Sequence, residues 1–318
     1  MGRADTITKK YMRKNEVFAD AFNFLIYGGE NVVDPSLLQE LDTTEIAVPF
    51  GMSDEDKPND EAVQKYRDVL KSTIIMQDAK ASYILLEIEN QTDVHYAMPV
   101  RNIIYDALQY GKQVSDIAAK HKNQSDRSGH NRGEYLSGFY KEDRIRPVIT
   151  LVVHFGANEW DGPLSLHEMM DLKDERLLEF VQDYRIFLID PYKLDTEDLN
   201  VFSSSLGKVL AYIKYSKNKN ELSDFLANNQ NMIMENDAAR VIRDITNTPI
   251  FVPEGKGEIN VCKAVQDMIY EREELAEIRT LVKQIQKGRL TIEQAAEDSN
   301  MTVEQFKEAM SKLPQEAV

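Results

Sequence analysis

The sequence predicts an α/β protein, a sheet flanked by helices and followed by a helical region, and three observations carry that expectation. Apolar residues recur at helical spacing over 15–27 and 97–120. Two runs, RPVITLVVHFG over 146–156 and RIFLID over 185–190, are continuous and apolar, as strands buried on both faces are. Helical and extended segments alternate through the first two-thirds of the chain and then cease to, which is the pattern of a sheet covered by helices.

Along the chain, NEVFADAFNFLIY places Val17, Phe18, Ala21, Phe22 and Leu25 on one helical face and stops at Gly28-Gly29. A short extended run follows over 45–50, then an acidic loop over 52–61. Residues 63–76 and 81–91 read as two strands joined by the turn-forming Gln77-Asp78-Ala79-Lys80. The helix over 97–120 keeps Val100, Ile103, Ile104, Ala107 and Leu108 toward a core. After the strand at 146–156, helices are expected over 165–170 and 175–183, a strand over 185–190 and a helix over 195–217. From 218 onward no strand signal of length remains. Pro249, Pro253, Gly255 and Gly257 mark a break, 258–287 reads as one charged helix, and 290–310 as two short helices around Asn300. The expected division is a domain over 1–217 and a helical C-terminal region over 218–318.

Composition narrows the function. The 318 residues suffice for one large domain or two smaller ones, and 42% hydrophobic with 8% aromatic residues supports a packed core. The N-terminal MGRADTITKKYMRKNE lacks an apolar h-region, and no apolar run approaches the roughly 20 residues of a membrane span, so a cytoplasmic protein without a membrane partner is expected. Cys262, the single cysteine, excludes an intramolecular disulfide or Cys-rich zinc site and reads as a buried thiol. A net charge of −16 argues against nonspecific coating of nucleic acid but not against an enzyme with a local basic channel. Basic residues gather at Lys9, Lys10, Arg13 and Lys14, and again over 120–146, where Lys120, Lys122, Arg127 and Arg132 are interleaved with Tyr135, Phe139 and Tyr140. The second gathering suits phosphate contact and base stacking, or is a solvated loop.

No nucleotide-binding glycine loop, zincin motif or serine nucleophile elbow is present. The five histidines are scattered and read as structural or surface groups, with contact to a substrate phosphate the alternative for His95. The unusual stretch is YILLEIENQTD over 83–93, which puts Glu87, Glu89 and Gln91 on one face of a strand and Ile84, Leu86 and Ile88 on the other. If the preceding strand pairs antiparallel with it, Asp68 approaches Glu87 or Glu89. Neighbouring carboxylates repel, so such a face is either wet, as on a half-polar edge strand, or holds a cation such as Mg²⁺.

Asp68 in YRDVLK, Glu89-Asn90-Gln91, Met98, Arg101 and Tyr105 in HYAMPVRNIIYDALQY, and the strand running to Gly156 and Trp160 together resemble the PD-(D/E)XK nuclease superfamily. More closely, the set is similar to the recombination-promoting nuclease (Rpn) family, also classed with transposases, over roughly residues 14–215. The resemblance implies a restriction-endonuclease-like mixed sheet flanked by helices and cleavage of DNA with Mg²⁺ or Mn²⁺. It implies Asp68, Glu89 and the backbone carbonyl of Asn90 as metal ligands, with Gln91 in the place of the superfamily's lysine; Glu87 is an additional acid with no family role, either a second ligand or a partner for Arg101. Glu16 or Asp20 on the first helix is the expected extra acid. Arg101 and Tyr105, with the basic residues of 120–146, are the expected phosphate contacts, unless the first two cap the sheet structurally. The C-terminal helices are expected to serve packing or homo-oligomer formation. The alternative function is a DNA- or protein-binding module that keeps the fold without cleaving.

Overall fold

The computed structural model describes residues 3–41, 69–77, 80–124, 131–311 and 313. The chain forms two compact units, Met1–Phe225 with Asp237–Asn247, and Leu226–Asn236 with Thr248–Val318.

The first unit is mixed α/β. Helices α1 (Arg3–Met12) and α2 (Asn15–Tyr27) precede the sheet. Helix α2 ends where Gly28 turns left-handed, φ 59°, and returns its N–H to the carbonyls of Asn23 and Phe24. Strands β1 (Gln39–Glu40), β2 (Val69–Gln77) and β3 (Lys80–Gln91) run antiparallel, with Val69 opposite Ile88. Helix α3 (Met98–Gln124) and the short α4 (Arg132–Ser137) lead to β4 (Val148–His154), parallel to β3 with Glu89 beside Val152. A parallel neighbour requires a crossover, and α3 supplies it. Strand β5 (Phe187–Ile189) adds in parallel to give the order β1-β2-β3-β4-β5. Helices α5 (Thr196–Val201), α6 (Leu206–Tyr215) and α7 (Lys219–Asn228) follow.

In chain order next come β6 (Ile233–Glu235), α8 (Asn236–Thr246), β7 (Glu258–Asn260), α9 (Val261–Gln286), α10 (Ile292–Asp298) and α11 (Val303–Ser311). In the second unit β6 and β7 pair antiparallel. Ile278 and Val282 of α9 pack with Ala295, Ala296 and Phe306 of the last two helices. Asn300, at φ 55°, turns the chain between those helices.

Several expected elements differ. The helix over 195–217 is two helices, because the buried Asp20 carboxylate takes the N–H groups of Ser203 and Ser204, both at 2.9 Å, and their hydroxyls as well. The helices over 165–170 and 175–183 are 3₁₀ turns, His167–Met169 and Glu175–Phe180. Leu177 and Phe180 stay exposed there, so no buried stripe sustains a longer helix. The strand over 185–190 shortens to an edge with Phe187 exposed. A two-stranded sheet, β6 with β7, stands where no strand was expected. Helix α9 starts at Val261 because 258–260 is extended and the Asn260 side chain accepts the Lys263 N–H at 3.1 Å. The extended run over 45–50, the loop over 52–61 and the start of the first strand lie outside the described residues.

Among the described residues no helix is long and apolar enough to cross a membrane. Cys262 is buried, its thiol pKa pushed up by desolvation.

Candidate functional site under the long helix

Strand β3 alternates as the sequence demands, and its two faces meet different partners. Position 89 pairs with Val152 and position 91 with His154, so these residues share one side of the sheet. Helix α3 covers that side, with Met98 packing against Val152, Trp160 and Ile186. Glu89 is 0% exposed, and Arg101, reaching down from α3, places Nη2 2.7 Å from its Oε2. The Arg101 Nε donates to the Tyr105 hydroxyl at 3.2 Å, and its guanidinium lies 5.6 Å from the centre of that ring. The cation that a buried carboxylate on an apolar strand calls for is thus, in this structure, an arginine.

One helical turn on, Asp106 is also buried. Thr150 Oγ1 donates to it at 2.6 Å, and the Tyr184 hydroxyl donates to its other oxygen. Asn102, on the same stripe of α3, is 1% exposed, and neither its oxygen nor its nitrogen has a hydrogen-bond partner among the described residues. A buried amide in that condition is the kind of group that water or a bound molecule satisfies. His95, just before α3, has a buried Nδ1 without a partner among the described residues. Burial, and then the nearby Arg101 charge, push its pKa down, so the imidazole is neutral around pH 7.

The structure gathers Glu89, Arg101 and Tyr105, and adds Asp106, Asn102, Thr150 and Tyr184. The added residues escape a strand-motif reading because they sit on the helix, on β4 and, for Tyr184, in the segment before β5. The signal for them lies in the spacing of 98, 102, 106 and 109 along α3, which puts three polar groups on the face that also carries Met98. Gln91 is half-buried on the same side of the sheet as Glu89. Asn90 points to the opposite face and is buried. Asp68, Arg127 and the Glu87 side chain lie outside what the structure describes.

The first-helix acids do not join this site. Helix α2 lies over the other face, where Lys71 of β2 sits 4.9 Å from the centre of the Phe18 ring. Asp20 is committed to Ser203 and Ser204, and Glu16 is exposed. The role of extra acid therefore falls to neither, because the sheet separates both from Glu89. The basic residues are also apart from it: at 1.5 Å per residue, Lys120 lies about 28 Å along α3 from Arg101. Lys122 and Arg132 are exposed. Trp160 is a core residue, its ring meeting His154 edge-on at 5.4 Å between centres. Gly156 is needed beside it, since a Cβ there would come 2.3 Å from the His154 ring and 2.7 Å from the Thr92 carbonyl.

No protein-family model, curated protein or solved structure matches the chain. Among the described residues, no group of three His, Cys, Asp or Glu side chains is placed to hold a metal ion. Glu89 supplies carboxylate oxygen atoms of the right hardness for Mg²⁺. A full donor set would require Asp68.

Proposed function

We propose that the chain is a Mg²⁺- or Mn²⁺-dependent DNA endonuclease with a restriction-endonuclease-like core, tied to recombination, mobile elements or defence against phage. The observation that carries this reading is the fully buried Glu89 carboxylate, held on the central strand of a mixed sheet under a helix bearing an arginine. Asp68, Glu89 and the Asn90 carbonyl would hold the ion, with Glu87 beside them. When bound, the ion supplies an activated water and charge stabilisation at the scissile phosphate. Arg101 fixes the orientation of Glu89, and Gln91, on the same side of the strand, would position the water. Tyr105 in turn fixes the plane of the arginine.

A second reading is a binding module that keeps the fold without cleaving, and a specific observation favours it. Glu89 already has its charge compensated by Arg101 at 2.7 Å, so it needs no metal to be stable where it is. Nicking of supercoiled plasmid with Mg²⁺ or Mn²⁺ separates the two. The nuclease reading expects cleavage by wild type, none by Asp68→Ala and most of it lost in Gln91→Leu. Gln91→Lys should keep or raise activity, because the ammonium would face anionic groups. Absence of cleavage by wild type, with DNA binding intact, supports the module instead.

A further inference from the structure

Helix α3 continues beyond the part that covers the sheet. The stripe that carries Asp106 and Gln109 goes on as Lys112, Asp116 and Lys120, again at helical spacing. Facing these residues is the segment that returns to β4, and five contacts fix it in place. His121 Nε2 is 2.9 Å from Asp143, and the His121 ring stacks on Tyr140 at 3.7 Å. Gln113 brackets the backbone of residue 146, donating to its carbonyl at 3.1 Å and accepting its N–H at 2.7 Å. The Val148 N–H donates to the Tyr110 hydroxyl at 3.2 Å.

Between the helix and this segment is a cleft of about 530 Å³, within the range of small-molecule sites. Leu41, Leu70 and Ile117 give it an apolar part. Lys112, Lys120, Arg144 and Arg146 also line it, against the single acid Asp116, a local charge of +3 in a chain of −16. The other basic gathering has carboxylates beside it within the unit: Lys10 and Lys14 pair with Asp237 and Arg13 with Glu40. In the cleft, by contrast, Lys112 and Lys120 have no carboxylate partner among the described residues, and Arg144 donates only to the carbonyls of Lys141 and Asp143. Like charges held around one concavity repel, and an anion relieves them.

We infer that this cleft is a nucleoside-phosphate site. The two lysines and two arginines take the phosphates, and the base lies against Leu41, Leu70 and Ile117. Charge-assisted bonds to phosphate give the affinity, and the apolar part distinguishes a nucleotide from a bare phosphate chain. The ligand is either a free nucleotide or the terminal nucleotide of a strand. The site stands apart from Glu89 along α3 and does not depend on the nuclease reading.

The test is calorimetric titration of the full chain, in EDTA, with ATP, with inorganic tripolyphosphate and with a 5′-phosphorylated oligonucleotide. Lys112→Glu with Arg144→Glu should weaken ATP binding about tenfold or more, while the exposed pair Lys173→Glu with Lys219→Glu, an equal charge change, should leave it within about twofold. Tripolyphosphate should bind several-fold more weakly than ATP. If the first pair lowers the melting temperature, Lys120→Gln with Arg144→Gln gives the same reading through milder changes. Displacement of ATP by the oligonucleotide, at lower concentration than ATP itself needs, assigns the site to a strand end; failure to displace assigns it to the free nucleotide. No heat with ATP, equal weakening by the cleft and control pairs, or tripolyphosphate binding as well as ATP would overturn the proposal.

Discussion

The two faces of the central sheet solve the same problem, burial beneath helices, in opposite ways. Under α2 the strands present Ile84, Leu86, Ile88, Leu151 and Val153, all buried and apolar. Lys71, on the same face, is 1% exposed and spends its ammonium on the Arg13 carbonyl and the Asn15 side chain, both at 2.5 Å. Burial lowers the Lys71 pKa, with Glu40 and Glu16 opposing the shift. Under α3 the strands present Glu89 and Thr150, answered by Arg101 and Asp106. An apolar interface tolerates loss of a side chain in proportion to the space left behind. A buried polar interface is held by matched partners, so removal of one partner costs far more than removal of both. The face under α2 buries Thr73 and Asn90 beside its apolar residues, and the face under α3 buries Val148 and Val152 beside its polar ones; what sets the α3 face apart is the Glu89–Arg101 ion pair.

The largest effects should expose that difference. Arg101→Ala leaves Glu89 buried without its cation and should cost about 3–5 kcal/mol in urea unfolding. Phe18→Ala on the opposite face should cost a similar 3–5 kcal/mol through its cavity. The distinction lies in rescue. Arg101→Met with Glu89→Met should restore stability to within about 1 kcal/mol of wild type or exceed it, since no uncompensated charge remains. No single partner change should rescue Phe18→Ala. If the double methionine variant is as unstable as Arg101→Ala, the pairing is not what holds α3 to the sheet. Glu89→Ala is expected to lose stability as well as any activity, so cleavage assays on it need a folded control.

Asp106→Ala comes next, at about 2–3 kcal/mol, because Thr150 and Tyr184 lose a charged acceptor inside the protein. Asp106→Asn keeps an acceptor and should cost less. Equal stability of all three proteins would show that the Asp106 network is solvated in solution. Asp20→Asn should cost about 1–2 kcal/mol by weakening the bonds to Ser203 and Ser204. Its effect should be confined to the joint between α2 and α6, read by hydrogen exchange at residues 203–206.

Much of the fold was legible because it depends on one-dimensional pattern. The alternation of 81–91, the continuous apolar run of β4 and the periodicity of α2 and α3 fixed those elements to within a few residues. What the pattern could not carry were features made by distant partners. The break between α5 and α6 is caused by Asp20, some 180 residues away. The edge strand β5 takes its length from β4, and the small sheet of β6 with β7 joins two three-residue segments too short for any period to show. The candidate site divides in the same way. Glu89 and Gln91 stood out by alternation, and Arg101 and Tyr105 through the family resemblance, whereas Asp106 reads as an ordinary helical acid until Thr150 and Tyr184 arrive beside it. The assignment of Glu16 and Asp20 to the site failed because sequence shows that α2 packs on the sheet but not on which face.

The smallest expected effect tests whether the polar face feels pH through His95. Its pKa in the folded protein lies below the ordinary histidine value, chiefly from burial and then from Arg101. The unfolded chain therefore takes up a proton at His95 at a pH where the folded protein does not. Above the unfolded pKa, about 6.5, both states are neutral at this residue and its contribution to stability is fully present. As pH falls from about 7 toward 5 the unfolded state is favoured and that contribution is lost. His95→Gln removes the titrating group while keeping a polar side chain. Urea unfolding at several pH values across that window should thus show a shallower decline for His95→Gln than for wild type. The two curves should lie parallel above pH 7. Identical slopes for the two proteins would mean that His95 is protonated as readily in the folded state as in the unfolded one, and that the Arg101 charge is screened from it. In that case the face under α3 would be wetter than the burial of Glu89 implies, and the contrast between the two faces would narrow.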